Sequence, residues 1–190
     1  MGSCLINASP TETVRGGGSS PFSSLFKGMM IGVGAPGMAV GGLAGGVVGG
    51  LAAPLSDAHH ERYWVGMVST GLWVGGGVGM GIATGGIIQQ LGQIMDPMVA
   101  GALVATLIMG YAAHVIGTTL DAVHTIPAPS SSDAVQHRWV MGQVSQQADP
   151  LSAMMIGGLK ESTDFWFGTG HPEWRDWHAN WLGITEGPTP

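Results

Sequence analysis

The run GLWVGGGVGMGIATGGIIQQLGQIMDPMVAGALVATLIMGYAAH, residues 71–114, holds one charged residue, Asp96, followed at once by Pro97. Upstream of this run nothing is charged until Arg62, and downstream nothing until Asp121. Residues 63–95 and 97–120 are therefore two apolar runs divided by a single polar turn, and each exceeds the roughly 20 residues that carry a helix across a bilayer. A third charge-free run, 28–56, lies between Lys27 and Asp57. In hydrocarbon an unpaired backbone amide costs several kcal/mol, so runs of this kind must be helical. The break between 28–56, the first run in chain order, and 63–95, the second, is short as well, made of Asp57, Glu61 and Arg62 with His59 and His60; in that order 97–120 is the third. These breaks predict helical hairpins and an all-α, polytopic membrane protein with three Gly-rich spans over 28–56, 63–95 and 97–120. An irregular N-terminal arm over 1–27 precedes them, and an extramembrane or interfacial region over 121–190 follows.

Composition agrees with an apolar solvent. Only 9% of the 190 residues are charged and 45% are hydrophobic, whereas a soluble domain is about 25% charged. A formal charge of −6 from so few ionised groups excludes nucleic acid as a partner, because neutralising phosphates takes clustered Lys and Arg. Chain-wide disorder is excluded too, since it pairs low hydrophobicity with high net charge. The lone Cys4 makes no internal disulfide and leaves the redox compartment unread. Basic residues flank the spans too evenly to set an orientation. In the arm, Ile6 stands where myristoylation at Gly2 would want Ser or Thr, and no basic region precedes an apolar core as in a signal peptide.

A Gly-rich soluble lattice or flexible coat is the competing reading, and the glycine spacing argues against it. Gly37, Gly41, Gly45 and Gly49 form one column at intervals of four, and Gly42, Gly46 and Gly50 a second. Gly71, Gly75 and Gly79, then Gly77, Gly81 and Gly85, repeat the device in the next run. That interval places small residues on one helix face, where two backbones approach closely in lipid. Helix packing is accordingly assigned to Gly37, Gly41, Gly45, Gly49, Gly71, Gly75 and Gly79. Ala102, Thr106 and Gly110 continue the pattern in the third run, with Leu103, Leu107 and Ile108 suited to lipid.

After Leu120 the chain turns polar, with an amphipathic stretch over 135–147 and a short helix expected over 151–160 behind Asp149–Pro150. Four tryptophans, Trp166, Trp174, Trp177 and Trp181, crowd the tail. The last three share the spacing of one helix face, which suits the headgroup level or a partner subunit. Tyr63 and Trp64 open the second span in the same belt.

Chemistry-bearing groups are few. His59 and His60 with Glu61 form a tight cluster, but adjacent side chains diverge on a helix and two histidines do not complete a site. His114, deep in the third run, has the position of a haem or pigment ligand, or of a hydrogen bond to a neighbouring helix. His171 and His178 make a face and not a chelate. No nucleophile elbow, phosphate loop or paired-cysteine motif occurs. The expectation is a chain that is not an enzyme, with no metal site, no cofactor, and lipids bound at its surface. A polar pathway has one candidate lining, Gln89, Gln90 and Gln93 near the end of the second run, and would need oligomerisation to enclose it.

The segment 73–113 resembles the mitochondrial inner-membrane family that contains presequence-translocase channel subunits and a membrane accessory subunit of respiratory complex I. The likeness rests on Gly75, Gly76, Gly77, Gly79 and Gly81, then Asp96 and Pro97, then Gly101, Ala102 and Ala105. It implies a structural accessory subunit of a large respiratory-type complex in the mitochondrial inner membrane, partnered by other membrane subunits and lipid. A translocase or small-solute channel subunit is the alternative that it also implies. The near absence of basic residues in the loops and the long aromatic tail depart from the family and weigh more against the translocase role.

Overall fold

A computed structural model of the chain describes residue 28 and residues 35–52, 57–127 and 132–188. The expected arm over 1–27, and the ends of the first expected span, lie outside the described residues. Among the described residues there are six helices with defined bounds: α1 (Ala35–Ala52), α2 (Asp57–Leu91), α3 (Pro97–His124), α4 (Asp133–Gln147), α5 (Pro150–Phe167) and α6 (Trp174–Glu186). No strand occurs among the described residues, so the fold is all-α.

Two helices are long and apolar enough to cross a membrane, His60–Leu91 within α2 and Pro97–His124, which is α3. Their local chemistry is simple. Asp96 caps α3, its Oδ1 accepting from the amides of Met98 at 2.9 Å and Val99 at 3.3 Å, and Pro97 sits where its missing N–H costs nothing. Helix α2 begins earlier than the charge-free run, at Asp57, a residue type favoured at a helix N-terminus. It ends at Leu91 in a short turn, with the Gly92 amide on the Ile88 carbonyl at 2.8 Å. The first expected span is the shorter apolar helix α1, whose 18 residues reach about 27 Å at 1.5 Å per residue.

Helix α1 lies antiparallel on the first half of α2, with Gly37 opposite Gly75 and Gly79, and Gly49 opposite Trp64 and Met67. Met38 and Val65 are enclosed in this layer. Helices α4, α5 and α6 form a second layer that grips the same half of α2 and the C-terminal half of α3. Its core joins Val115 and Ala122 of α3 to Val140, Met141, Val144 and Ala148 of α4 and Ala153 of α5. The rest of the α2–α3 hairpin stands bare, with Val78, Ile82, Met98, Val99 and Leu103 all exposed. An apolar hairpin left uncovered on this scale marks a surface made for an apolar neighbour.

Helix α5 runs beyond the expected 151–160 to Phe167. Lys160 and Asp164, one turn apart, pair at 3.0 Å and carry the helix through its charged segment. Gly168, at φ 67°, ends it; that left-handed conformation suits glycine and closes a helix cleanly.

Candidate functional site

Three features of the fold could carry function: a glycine seam, an aromatic collar, and a buried polar junction. In the seam, a methyl group added at Gly41 would overlap the Gly71 carbonyl oxygen and come within 2.9 Å of the Gly75 Cα. Gly37 faces the Gly75 carbonyl and Gly45 the Met67 carbonyl in the same way. The structure thus brings the α1 column onto the α2 column backbone to backbone. The second columns differ in their neighbours. Gly42 and Gly46 meet Leu72, Val68 and Trp64, while a methyl group at Gly77, Gly81, Gly85 or Gly86 would meet nothing within 4 Å.

The collar is built by the tail. Three of its four tryptophans turn onto the chain's own α2: Trp177 Nε1 donates to the buried Ser69 Oγ at 2.8 Å, Trp166 Nε1 donates to Thr70 Oγ1 at 3.0 Å, and the Trp174 ring lies 4.8 Å from that of Trp64. Trp181 stays half exposed. Glu61 fastens the start of α6, its Oε1 accepting from the Trp174 amide at 3.1 Å. Between these elements opens a pocket of about 750 Å³ lined by Glu61, Arg62, Tyr63, Phe165, Trp166 and His171, among others. Tyr63 meets Phe165 edge to face at 5.4 Å, and Phe165 meets Trp166 at 4.9 Å.

The junction is where α4, α5 and α6 meet. Asp133, His137 and Asp176 each present a ligand atom, all within 4.8 Å of one another. His137 and Asp176 are buried. His137 Nδ1 shares a 2.9 Å hydrogen bond with Asn180 Oδ1, and its Nε2 lies 3.8 Å from Asp133 Oδ1. Glu161 of α5 is fully enclosed, and neither of its carboxylate oxygens has a hydrogen-bond partner; its nearest countercharge is Lys160 Nζ at 3.3 Å from Oε1. Burial pushes the Glu161 carboxyl up to about 7; Lys160 opposes the rise and the charge of Asp176 adds to it. Burial raises Asp176 too, against the pull of His137. Burial works against the Lys160 charge, but Glu161 and Asp164 outweigh it and lift that ammonium.

A second polar cluster anchors the turn into α5. Asp149 caps the helix through Oδ1, which accepts from Leu151 at 2.8 Å and Ser152 at 2.9 Å. Its Oδ2 takes the Ser152 hydroxyl at 2.6 Å and the Tyr111 hydroxyl of α3.

The remaining sequence candidates are scattered. Gln89, Gln90 and Gln93 are exposed at the tip of the α2–α3 hairpin and line none of the pockets around Tyr63, His60 or Ala39. The side chain of His59 lies outside the described residues; His60 is exposed beside Glu61, Trp64 and Trp174. His114 Nε2 is 3.3 Å from the Gln147 carbonyl of α4, the geometry of a hydrogen bond to a neighbouring helix. His60 and His114 are not brought together. Sequence reasoning passed over the Asp133, His137 and Asp176 group. One part of it was legible, since Asp133 and His137 stand one helical turn apart, but Asn180 is 43 positions from its partner His137 and nothing local announces it. No protein-family model matches the chain, and neither a curated protein nor a solved structure matches it.

Proposed function

We propose that this chain is a non-catalytic integral-membrane subunit that packs into a larger multisubunit assembly. The observation that carries the reading is the bare second column, Gly77, Gly81 and Gly85, on a hairpin whose other glycine column is filled by α1. Small-residue faces in lipid gain their stability from a facing helix, and the described chain supplies one for the first column alone. In this reading α1 crosses the membrane as a third span beside α2 and α3, which its length of about 27 Å allows. The respiratory-type complex and the mitochondrial inner membrane are the setting that the likeness over 73–113 suggests, and they rest on that likeness.

Lipid is the second partner. The pocket by Tyr63, Phe165 and Trp166 lies at the start of a helix of spanning length, where headgroups sit. Aromatic faces and the Glu61 carboxylate suit the ammonium of a zwitterionic headgroup, and Arg62 suits its phosphate. A conduction path along Gln89, Gln90 and Gln93 has less to support it, because these side chains stand at a hairpin tip instead of inside a bundle.

The test is purification from the native membrane in mild detergent, with and without Gly81→Leu or Gly85→Leu. The expected result is a set of stoichiometric membrane partners that either substitution removes, while the thermal stability of the isolated chain stays unchanged. A native chain that elutes alone, or partners that persist in both variants, overturns the reading.

A further inference from the structure

We propose that Asp133, His137 and Asp176 form a binding site for one divalent metal ion of the zinc and manganese class, at the junction of α4, α5 and α6.

The donor set is the first ground. One imidazole nitrogen and two carboxylates, drawn from two helices, suit a first-row divalent ion of borderline softness. The His137–Asn180 bond orients the ring. An amide oxygen only accepts, so Nδ1 carries the proton and Nε2 presents its lone pair to the carboxylates. Metal-ligating histidines are held in this manner, with the nitrogen away from the metal hydrogen-bonded to a fixed acceptor.

Distance is the second ground. Nε2 and Asp133 Oδ1 are 3.8 Å apart, too far for a hydrogen bond through a proton on Nε2. An ion about 2.1 Å from each atom spans that gap. The three ligand atoms lie within 4.8 Å of one another, and Asp133, whose side chain is 64% exposed, gives the ion a way in from solvent.

The third ground is independent of the three ligands. Glu161, on the third helix of the junction, is fully buried with both oxygens lacking a hydrogen bond. It lies one turn from Gly157, against which Asn180, the hydrogen-bond partner of His137, is packed. Glu161 and Asp164 share Lys160 as their countercharge, while Arg138 is engaged by Glu186 at 2.6 Å. Two carboxylates on one half-exposed ammonium leave negative charge uncompensated at the junction, and a divalent cation held by Asp133, His137 and Asp176 reduces it.

The experiment uses the full chain in detergent, stripped with chelator, with Zn²⁺ or Mn²⁺ alone as probe in calorimetric titration and thermal unfolding. One equivalent should bind saturably and raise the unfolding temperature. Asp133→Asn, at an exposed position that leaves the core intact, should weaken affinity at least tenfold, and so should Asp176→Asn. A His60→Ala variant should bind as wild type does, because His60 borders Glu61, Trp64 and Trp174 and none of the three ligands. Absence of saturable binding overturns the proposal. So does affinity unchanged by Asp133→Asn, or affinity lost in His60→Ala.

Discussion

Gly41→Ala is the smallest change that tests how α1 and α2 are held together. The added methyl would overlap the Gly71 carbonyl oxygen, with the Gly71 carbonyl carbon and the Gly75 Cα each 2.9 Å away. All three are backbone atoms, so no rotamer change relieves the overlap and the helices must move apart by roughly 1 Å. A gap of that size forfeits about a quarter to a half of each dispersion contact along the seam, including those at Gly37, Gly45, Gly49 and Gly75. Alanine returns about 1 kcal/mol through its helix propensity. The net expectation is a loss of about 1 to 3 kcal/mol, with Gly45→Leu toward the upper end. Gly81→Ala is the matched control: nothing lies within 4 Å of its added methyl, so the propensity term acts alone and the isolated chain should be neutral or stabilised by up to about 1 kcal/mol. Thermal unfolding of the purified chain in one detergent reads both, at about 2 to 4 °C per kcal/mol for a chain of this size. Gly41→Ala as stable as wild type, or Gly81→Ala as damaging as Gly41→Ala, would refute the seam as the source of the packing.

Cysteine labelling on a Cys4→Ser background should leave Val78→Cys and Leu107→Cys protected from a water-borne reagent in membranes, and Val47→Cys as well if α1 spans; free labelling of the first two rejects insertion of the hairpin. Trp177→Phe removes the donor to the buried Ser69 Oγ and should cost about 1 to 2 kcal/mol in chemical denaturation, more than Trp166→Phe, whose bond to Thr70 is exposed; equal effects would deny the buried bond its role. In chelated buffer, stability should fall as pH rises from about 4.5 to about 7, by at most about 3 kcal/mol, because the folded chain holds the Glu161 proton more tightly than the unfolded chain does. Glu161→Gln should flatten that slope, and a slope unchanged by the substitution assigns it elsewhere.

What could be read in advance follows from the range of each interaction. The two spanning-length helices were legible because length and apolar composition are read over every residue of a run, and the Asp96–Pro97 cap marks their boundary within four positions. The glycine columns were legible as faces, but which column meets α1 and which stays bare depends on the offset of two helices, and equal spacing in both runs leaves that offset open. The short reading of α5 failed at Lys160, where a cluster of charges resembles a helix end until Lys160 and Asp164 are seen to pair. The tryptophan tail shows the limit most clearly. Its amphipathic face was plain, yet its hydroxyl partners Ser69 and Thr70 lie 108 and 96 positions away inside a run that reads as apolar. A serine and a threonine in a spanning run read as lipid-tolerant small residues, because each can return its hydroxyl to the helix backbone, as Thr70 does to the Gly66 carbonyl at 2.7 Å. The same two hydroxyls accept indole N–H groups from the tail. The C-terminal helices α5 and α6 therefore do more than rest beside α2: they give the hydroxyl oxygens of Ser69 and Thr70 indole donors, which ties the tail to α2 within the chain itself.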